Sequence, residues 1–272
     1  MSELGDVLEL LHGAAGRVTT LSATLLDWHD EERALRAVQA AQRHGAAIGV
    51  LQHKGEPLRQ YEQRTLVHYR HPRRYRLHHQ ANAYVHRPHE VLRVSDGERE
   101  WTYVAAERQA YVQAPSQHEL FRLLDPSWLP ATCILSVAGH TAHEGREAVE
   151  LHGRPRRDLP DRHLHHQGVG AGQADELHAV VDAATGVLLS VTSRFEGEPY
   201  HVERLTEVAI NQPLDDELFH FTPSRGVRVD DLLAGQHRRA PIVRGPLRFR
   251  LRVLRRRLGH RIRSRPKRQG TA

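Results

Sequence analysis

The chain has 272 residues, of which 39% are hydrophobic, with 39 Lys or Arg against 33 Asp or Glu and a formal net charge of +6. That composition excludes a disordered chain and gives length enough for one large domain or two small ones. A single cysteine, Cys133, excludes an internal disulfide and a four-cysteine zinc site.

The charge is unevenly placed. Beyond Asp231 there is no acid and there are 14 Arg or Lys, so the preceding body carries 25 bases against 33 acids, a net of −8. The bases are Arg almost throughout, Lys54 and Lys267 excepted, a bias that reflects coding composition more than function. Glu3, Asp6 and Glu9 ahead of Leu10 and Leu11 do not make an export signal. No apolar run approaches the roughly 20 residues of a membrane helix. As written the sequence reads as cytoplasmic, with peripheral membrane attachment open, and as extracytoplasmic only if its start is truncated.

Leu4, Val7, Leu8 and Leu11 recur at helical spacing, which predicts a short amphipathic helix over Ser2 to Ala15 that Gly16 ends. Arg17 to Trp28 alternates enough for a first strand. Asp30 to His44 is a polar helix or mobile insertion, and residues 29–58 together form a polar insertion. Tyr61 to Tyr69 and Tyr75 to Gln80 are strands by their Thr, Val and Tyr content. Val91 to Gln113 then reads as a three-stranded meander. Asp96-Gly97 supplies its first tight turn, and Trp101 and Tyr103 project from one face. Ser116 to Pro130 has a helical pattern, with Ser116 and Glu119 at capping-box spacing and a break at Asp125-Pro126. Leu120, Phe121, Leu123, Leu124, Trp128 and Leu129 make this helix pair a candidate lid or a core filler. Ile134 to Ala142, Glu147 to Gly153, Glu176 to Asp182, Val187 to Phe195 and Tyr200 to Asn211 complete a set of about nine to eleven strands. The expected fold is α+β, mainly β: a curved antiparallel half-barrel covered by short lid helices over residues 1–233, followed by an Arg-rich amphipathic tail over 234–272.

Signals of catalysis are missing. There is no Gly-x-Ser-x-Gly elbow, no phosphate-binding glycine loop and no His-Glu-x-x-His. Asp215-Asp216 and Asp230-Asp231 read as capping or solvated charges, and Cys133 as a small core residue. His163-x-His165-His166, His140 and His143 lack evident partners, so neither metal nor cofactor is expected.

Three local patterns carry a resemblance. His71-Pro72-Arg73-Arg74-Tyr75-Arg76-Leu77 resembles the Arg-Pro-x-x-Phe-x-Trp segment of the bacterial lipoprotein carriers. Ser95-Asp96-Gly97 with Trp101 and Tyr103 resembles their Ser-Asp-Gly-x-x-x-Trp-x-Tyr hairpin. Phe219-His220-Phe221-Thr222-Pro223 with Gly226-Val227-Arg228-Val229 resembles their closing segment. The order of elements over residues 4 to 231 also resembles the LolA-like superfamily, whose members include LolB, LppX-like carriers and the N-terminal domain of RseB. The resemblance implies a half-open barrel holding acyl chains without chemistry. Its ligand-binding residues would be Tyr75, Leu77, Val94, Trp101, Tyr103, Leu120, Phe121, Leu124, Trp128, Val191, Phe219 and Phe221. It also implies a lid latch at His71, where the carriers have Arg. An imidazole there would make the latch weaker and pH-sensitive.

In the tail, Gly245-Pro246 starts a helix. Arg248, Leu251, Arg252, Leu254, Arg255, Arg256 and Leu258 make a basic face beside an apolar stripe, suited to an anionic membrane surface or an acidic protein partner. Nucleic acid competes, since phosphate binding needs only such charge. The expected function is non-enzymatic binding of a lipid, acyl chain or lipopeptide, with the tail at a membrane surface. The alternatives are an RseB-like signalling or protein-interaction module without cargo, and nucleic-acid association through the tail.

Overall fold

The computed structural model describes residues 3–43, 59–80, 90–116, 119–156 and 173–235. The elements in order are helix α1 (Glu3–Arg17), strand β1 (Thr20–Asp30), helix α2 (Glu31–Arg43), β2 (Gln60–Arg70), β3 (Arg74–His79), β4 (Val91–Asp96), β5 (Glu100–Val104), β6 (Gln109–Gln113), helices α3 (Glu119–Leu124) and α4 (Trp128–Thr132), β7 (Cys133–His143), β8 (Arg146–Pro155), β9 (Glu176–Asp182), β10 (Leu188–Phe195), β11 (Glu198–Ile210) and β12 (Arg228–Asp231). Short 3-10 turns cover Ala105–Glu107 and Asp216–Phe219. The chain divides into two units, Met1–Asp230 and Asp231–Ala272. Of the second, the described part is Asp231 and the helical turn Leu232–Gly235. No helix among the described residues is long and apolar enough to cross a membrane.

The strands form one open sheet in the order β12-β6-β5-β4-β3-β2-β1-β11-β10-β9-β8-β7. It consists of two consecutive antiparallel meanders, β1 to β6 and β7 to β11, joined where β1 pairs with β11. Among the described residues there are twelve strands rather than nine to eleven. The addition is β12, from the closing motif, which lies beside the otherwise unpaired edge of β6.

Tight turns hold the hairpins. Asp96 Oδ1 accepts from the amides of Glu98 and Arg99, both at 2.8 Å, and Gly97 takes φ +103°. At the β9–β10 turn, Gly186 has φ +82°, and a Cβ there would come within 2.4 Å of the Leu10 carbonyl oxygen of α1. Only glycine lets the helix sit this close to the sheet.

The sheet curls. Ser22 pairs with Ala209 but Thr24 pairs with Thr206, a bulge in β11 that puts Glu207 at φ +54°; bulges bend a strand and increase its twist. His143, at the end of edge strand β7, donates through Nε2 to the Leu205 carbonyl of β11 at 2.8 Å. Glu144 accepts from the Glu207 amide at 2.6 Å. These strands are separated in the sheet by β8, β9 and β10, so the contacts require that half of the sheet to fold back on itself. The result is the curved, helix-covered, mainly β architecture expected from the sequence.

The main core lies on one face of the sheet. It gathers Val7 and Leu11 of α1, Leu21 and Leu25 of β1, Val67, Tyr75 and Leu77 of the first meander, and Leu151, Leu177, Val181 and Leu188 of the second. Two boundaries differ from expectation. Helix α1 runs through Gly16 to Arg17, whose guanidinium reaches back two turns to the Leu10 carbonyl at 2.8 Å. The polar stretch after β1 is helical over α2 and buries Ala37, Val38 and Ala41, with Ala37 packed among Phe195, Tyr200 and Ala174.

Candidate functional site

Helices α3 and α4 are six and five residues long, too short to persist alone in water. They hold their shape because Leu120, Leu123, Leu124 and Leu129 are buried in the main core. Phe121 meets Tyr69 and Tyr75 edge-on, with centroids 6.0 and 5.7 Å apart. Of the residues expected to bind ligand, Tyr75, Leu77, Leu120, Phe121, Leu124, Trp128 and Val191 therefore come together in one apolar region between sheet and helices. That region is filled by the side chains of the helices. Two depressions among the described residues lie elsewhere. One, of about 480 Å³, is at Gln39, Gln42 and Arg43. The other, of about 250 Å³, is at Ile134, His152, Arg154 and Glu176.

The other expected ligand residues lie across the sheet. Tyr75 pairs with Ser95, and Ser95 with Glu100; Arg76 pairs with Val94, and Val94 with Trp101. Paired residues share a face and neighbours alternate, so Val94, Trp101 and Tyr103 point away from Tyr75 and Leu77. The closing segment covers them: the Phe221 ring lies 5.5 Å from that of Trp101 and 5.8 Å from that of Tyr103. Phe219 is buried beneath the guanidiniums of Arg70 and Arg74, at 5.1 and 5.2 Å. Both arginines also bind the Asp216 carboxylate. Val94, Trp101, Tyr103, Phe219 and Phe221 thus form a second hydrophobic seam that fastens the closing segment, and they do not line the space under the helices.

Two polar anchors fasten the helix pair, and neither was expected. Glu100, fully buried on β5, accepts from Tyr75 Oη at 2.8 Å and from the Ser116 amide and hydroxyl at 2.8 and 2.5 Å. The Ser116 hydroxyl thus serves Glu100. Burial, with the Glu100 charge beside it, pushes the Tyr75 phenol well above its usual range. Arg122 of α3 donates to Glu203 of β11 at 2.7 Å, and Trp128 Nε1 donates to the Arg122 carbonyl at 3.0 Å. His71 sits exposed in the β2–β3 turn, its Nδ1 3.4 Å from Tyr69 Oη. It is connected to α3 through Tyr69, which meets Phe121.

Beside the Arg122 anchor the same face turns polar. Asp27 pairs across the ladder with Glu203, and His29 with His201. Nε2 of His29 and of His201 lie 3.0 and 2.9 Å from Asp27 Oδ1. Burial alone would raise the Asp27 pKa, but the hydrogen bonds from His201 and His29 outweigh it and hold the carboxyl well below the usual range. Burial opposes protonation of His201, yet its bond to Asp27 and the nearby Glu203 charge raise its pKa. Asp27 and His29 were not paired by the sequence, because the first strand was expected to end at Trp28 and His29 fell in the expected polar insertion, whereas β1 runs on to Asp30. Nor was His201 placed beside them, because nothing in sequence spacing announces the β1–β11 pairing. Cys133 is buried, and burial pushes its thiol up, in keeping with a core role. The tail residues Arg248, Leu251, Arg252, Leu254, Arg255, Arg256 and Leu258, and His163, His165 and His166, lie outside the described residues.

No protein-family profile and no curated protein matches the chain. Among solved structures it is similar to the Mycobacterium tuberculosis lipoprotein LppX, at 10% identity over 79% of this chain and 99% of that one, with a TM-score of 0.44. It is similar to a chain of the Pseudomonas aeruginosa MucA/MucB complex, at 18% identity over 79% of this chain and 61% of that one, with a TM-score of 0.43. It is also similar to a LolA superfamily protein of Nitrosomonas europaea, at 8% identity over 81% of this chain and 99% of that one, with a TM-score of 0.30. LolA-like proteins are thus among the solved structures it resembles. The chain spans about three fifths of the matched chain of the MucA/MucB complex.

Proposed function

We propose that this protein binds a hydrophobic ligand, an acyl chain or lipopeptide, without chemistry, between the curved sheet and helices α3 and α4. The observation behind this reading is the construction of the lid. Two helices too short to stand alone plug the concave face with four leucines, and two polar anchors hold them there. Lifting them would expose a continuous apolar surface bounded by Tyr75, Leu77 and Val191. At about 25 cal/mol per Å² of apolar surface, an acyl chain laid on that surface offsets the burial lost with the leucines. The tail, with its 14 bases, would bring the protein to an anionic membrane face.

An environment-sensitive fluorescent acyl probe tests the reading. The full chain should take it up slowly. Glu100→Gln, which loosens the Ser116 anchor, should speed uptake several-fold. Trp101→Ala, on the opposite face, should leave binding unchanged. A second reading, a protein-interaction module without cargo, is favoured by the filled face. It gains if neither the unmutated chain nor Glu100→Gln takes up the probe.

A further inference from the structure

We propose that Asp27, His29 and His201 form a binding site for one divalent first-row transition metal ion, zinc above all, pinning the two halves of the sheet together at the β1–β11 seam. The three side chains are 5%, 6% and 6% exposed. Each offers one ligand atom, and these atoms all lie within 4.8 Å of one another. Both imidazoles aim Nε2 at the same carboxylate oxygen, at 2.9 and 3.0 Å. A tetrahedral zinc with bonds of about 2.0–2.1 Å spaces its ligands roughly 3.3 Å apart. The two carboxylate–imidazole distances therefore need to open by only a few tenths of an ångström to match that spacing.

The supporting shell fits the same use. Ligand positions come from adjacent strands rather than loops: Asp27 and His29 alternate on β1, and His201 faces His29 across the ladder. The two imidazoles are stacked, with centroids 4.0 Å and planes 18° apart, and Tyr61 stacks on His29 at 5.3 Å. Ring orientation is thereby fixed, as second-shell groups fix it in metal sites. Next to the ligands, Glu203 is held by Arg122, which ties the site to α3. Two imidazoles and one carboxylate are a borderline-soft set that suits zinc, cobalt or iron and leaves a position for water. The proposal stands apart from the reading of an apolar ligand, because these residues lie at the polar end of the face.

A second cluster, His152, Glu176 and His178, provides the control. Its members are half-exposed on the opposite face, with Glu176 Oε1 3.4 and 3.2 Å from the two histidines. The full chain, stripped with chelator, is titrated with cobalt(II). The expected result is one ion per chain with the intense visible absorption of a four-coordinate site, displaced by zinc. That signal should persist in the double variant His152→Gln/His178→Gln and weaken at least ten-fold in Asp27→Asn and in His29→Gln. Circular dichroism checks that both variants fold, and Asp27→Asn is close to isosteric. X-ray absorption on the zinc-loaded unmutated chain keeps the test independent of any variant. It should report two imidazoles and one carboxylate oxygen around the metal. An unmutated chain without four-coordinate absorption overturns the proposal and leaves a hydrogen-bonded triad. So do unchanged affinity and spectrum in Asp27→Asn and His29→Gln, or a zinc shell of other composition.

Discussion

Asp182 shows how much one side chain can hold. It is 1% exposed at the end of β9, and its Oδ1 accepts from the Thr185 amide and hydroxyl at 2.8 and 2.7 Å while Oδ2 accepts from Arg146 Nε at 2.6 Å. Burial would raise its pKa, but the Arg146 and Thr185 bonds win and lower it below 3.8. A carboxyl depressed on folding adds stability that is fully present above its unfolded pKa and is lost as pH falls through the folded value. The protein should therefore lose melting temperature as pH falls below about 4. Asp182→Asn should melt lower at pH 7 and show a shallower acid decline. Parallel decline in both proteins would mean the acid sensitivity comes from elsewhere. The short gap between the expected strands Glu176 to Asp182 and Val187 to Phe195 marked a turn but not its anchor, because Arg146 comes from the neighbouring β8 ladder. Glu100 was hidden for the same reason: an isolated Glu beside a Trp looks like surface until Ser116 and Tyr75 converge on it.

Among elements, α3 depends on its ion pair with β11. Glu203 has a side chain 4% exposed and Arg122 one 20% exposed. Removing Arg122 alone leaves a buried carboxylate without that partner, which costs about 3 kcal/mol. Arg122→Ala should therefore unfold at lower denaturant than Glu203→Gln. The double variant Arg122→Met/Glu203→Leu should come back close to the unmutated protein, since replacing a whole buried pair by apolar groups is often neutral. A double variant as unstable as Arg122→Ala would show that the pair contributes more than its own neutralisation. The helix pair itself was legible: the Asp125-Pro126 break and the leucines around it gave two short helices, and the structure has them. What misled was the aromatic stripe. Trp101 and Tyr103 do share a face, but alternation along one strand does not say which face, and the register through Val94 to Arg76 decides it.

At the scale of the molecule, the hairpin turns and the order of the meanders were readable from Gly, Asp and alternating apolar residues. The β1–β11 pairing was not, because contacts between residues such as Leu25 and Leu205 leave no trace in local pattern. Charge is the other global feature. A body of net −8 is repelled by anionic lipid, whereas each tail base near such a surface contributes about 1 kcal/mol. In flotation with anionic vesicles, the full chain should rise with the lipid and a chain ending at Leu233 should stay behind. Equal behaviour of the two would remove the tail from membrane binding, and release by competing RNA at moderate salt would favour nucleic acid. The seam has one more consequence. As the ribosome delivers the chain, β1 to β6 can zip together while the far side of β1 still shows bare amides, carbonyls and the apolar row Leu21, Ala23 and Leu25. That edge stays open until Ile210 has emerged, and an unpaired apolar edge templates other chains. Two nascent copies side by side can therefore exchange their second meanders, each β11 closing its neighbour's β1, so the same seam that completes the monomer is also its route into a domain-swapped dimer.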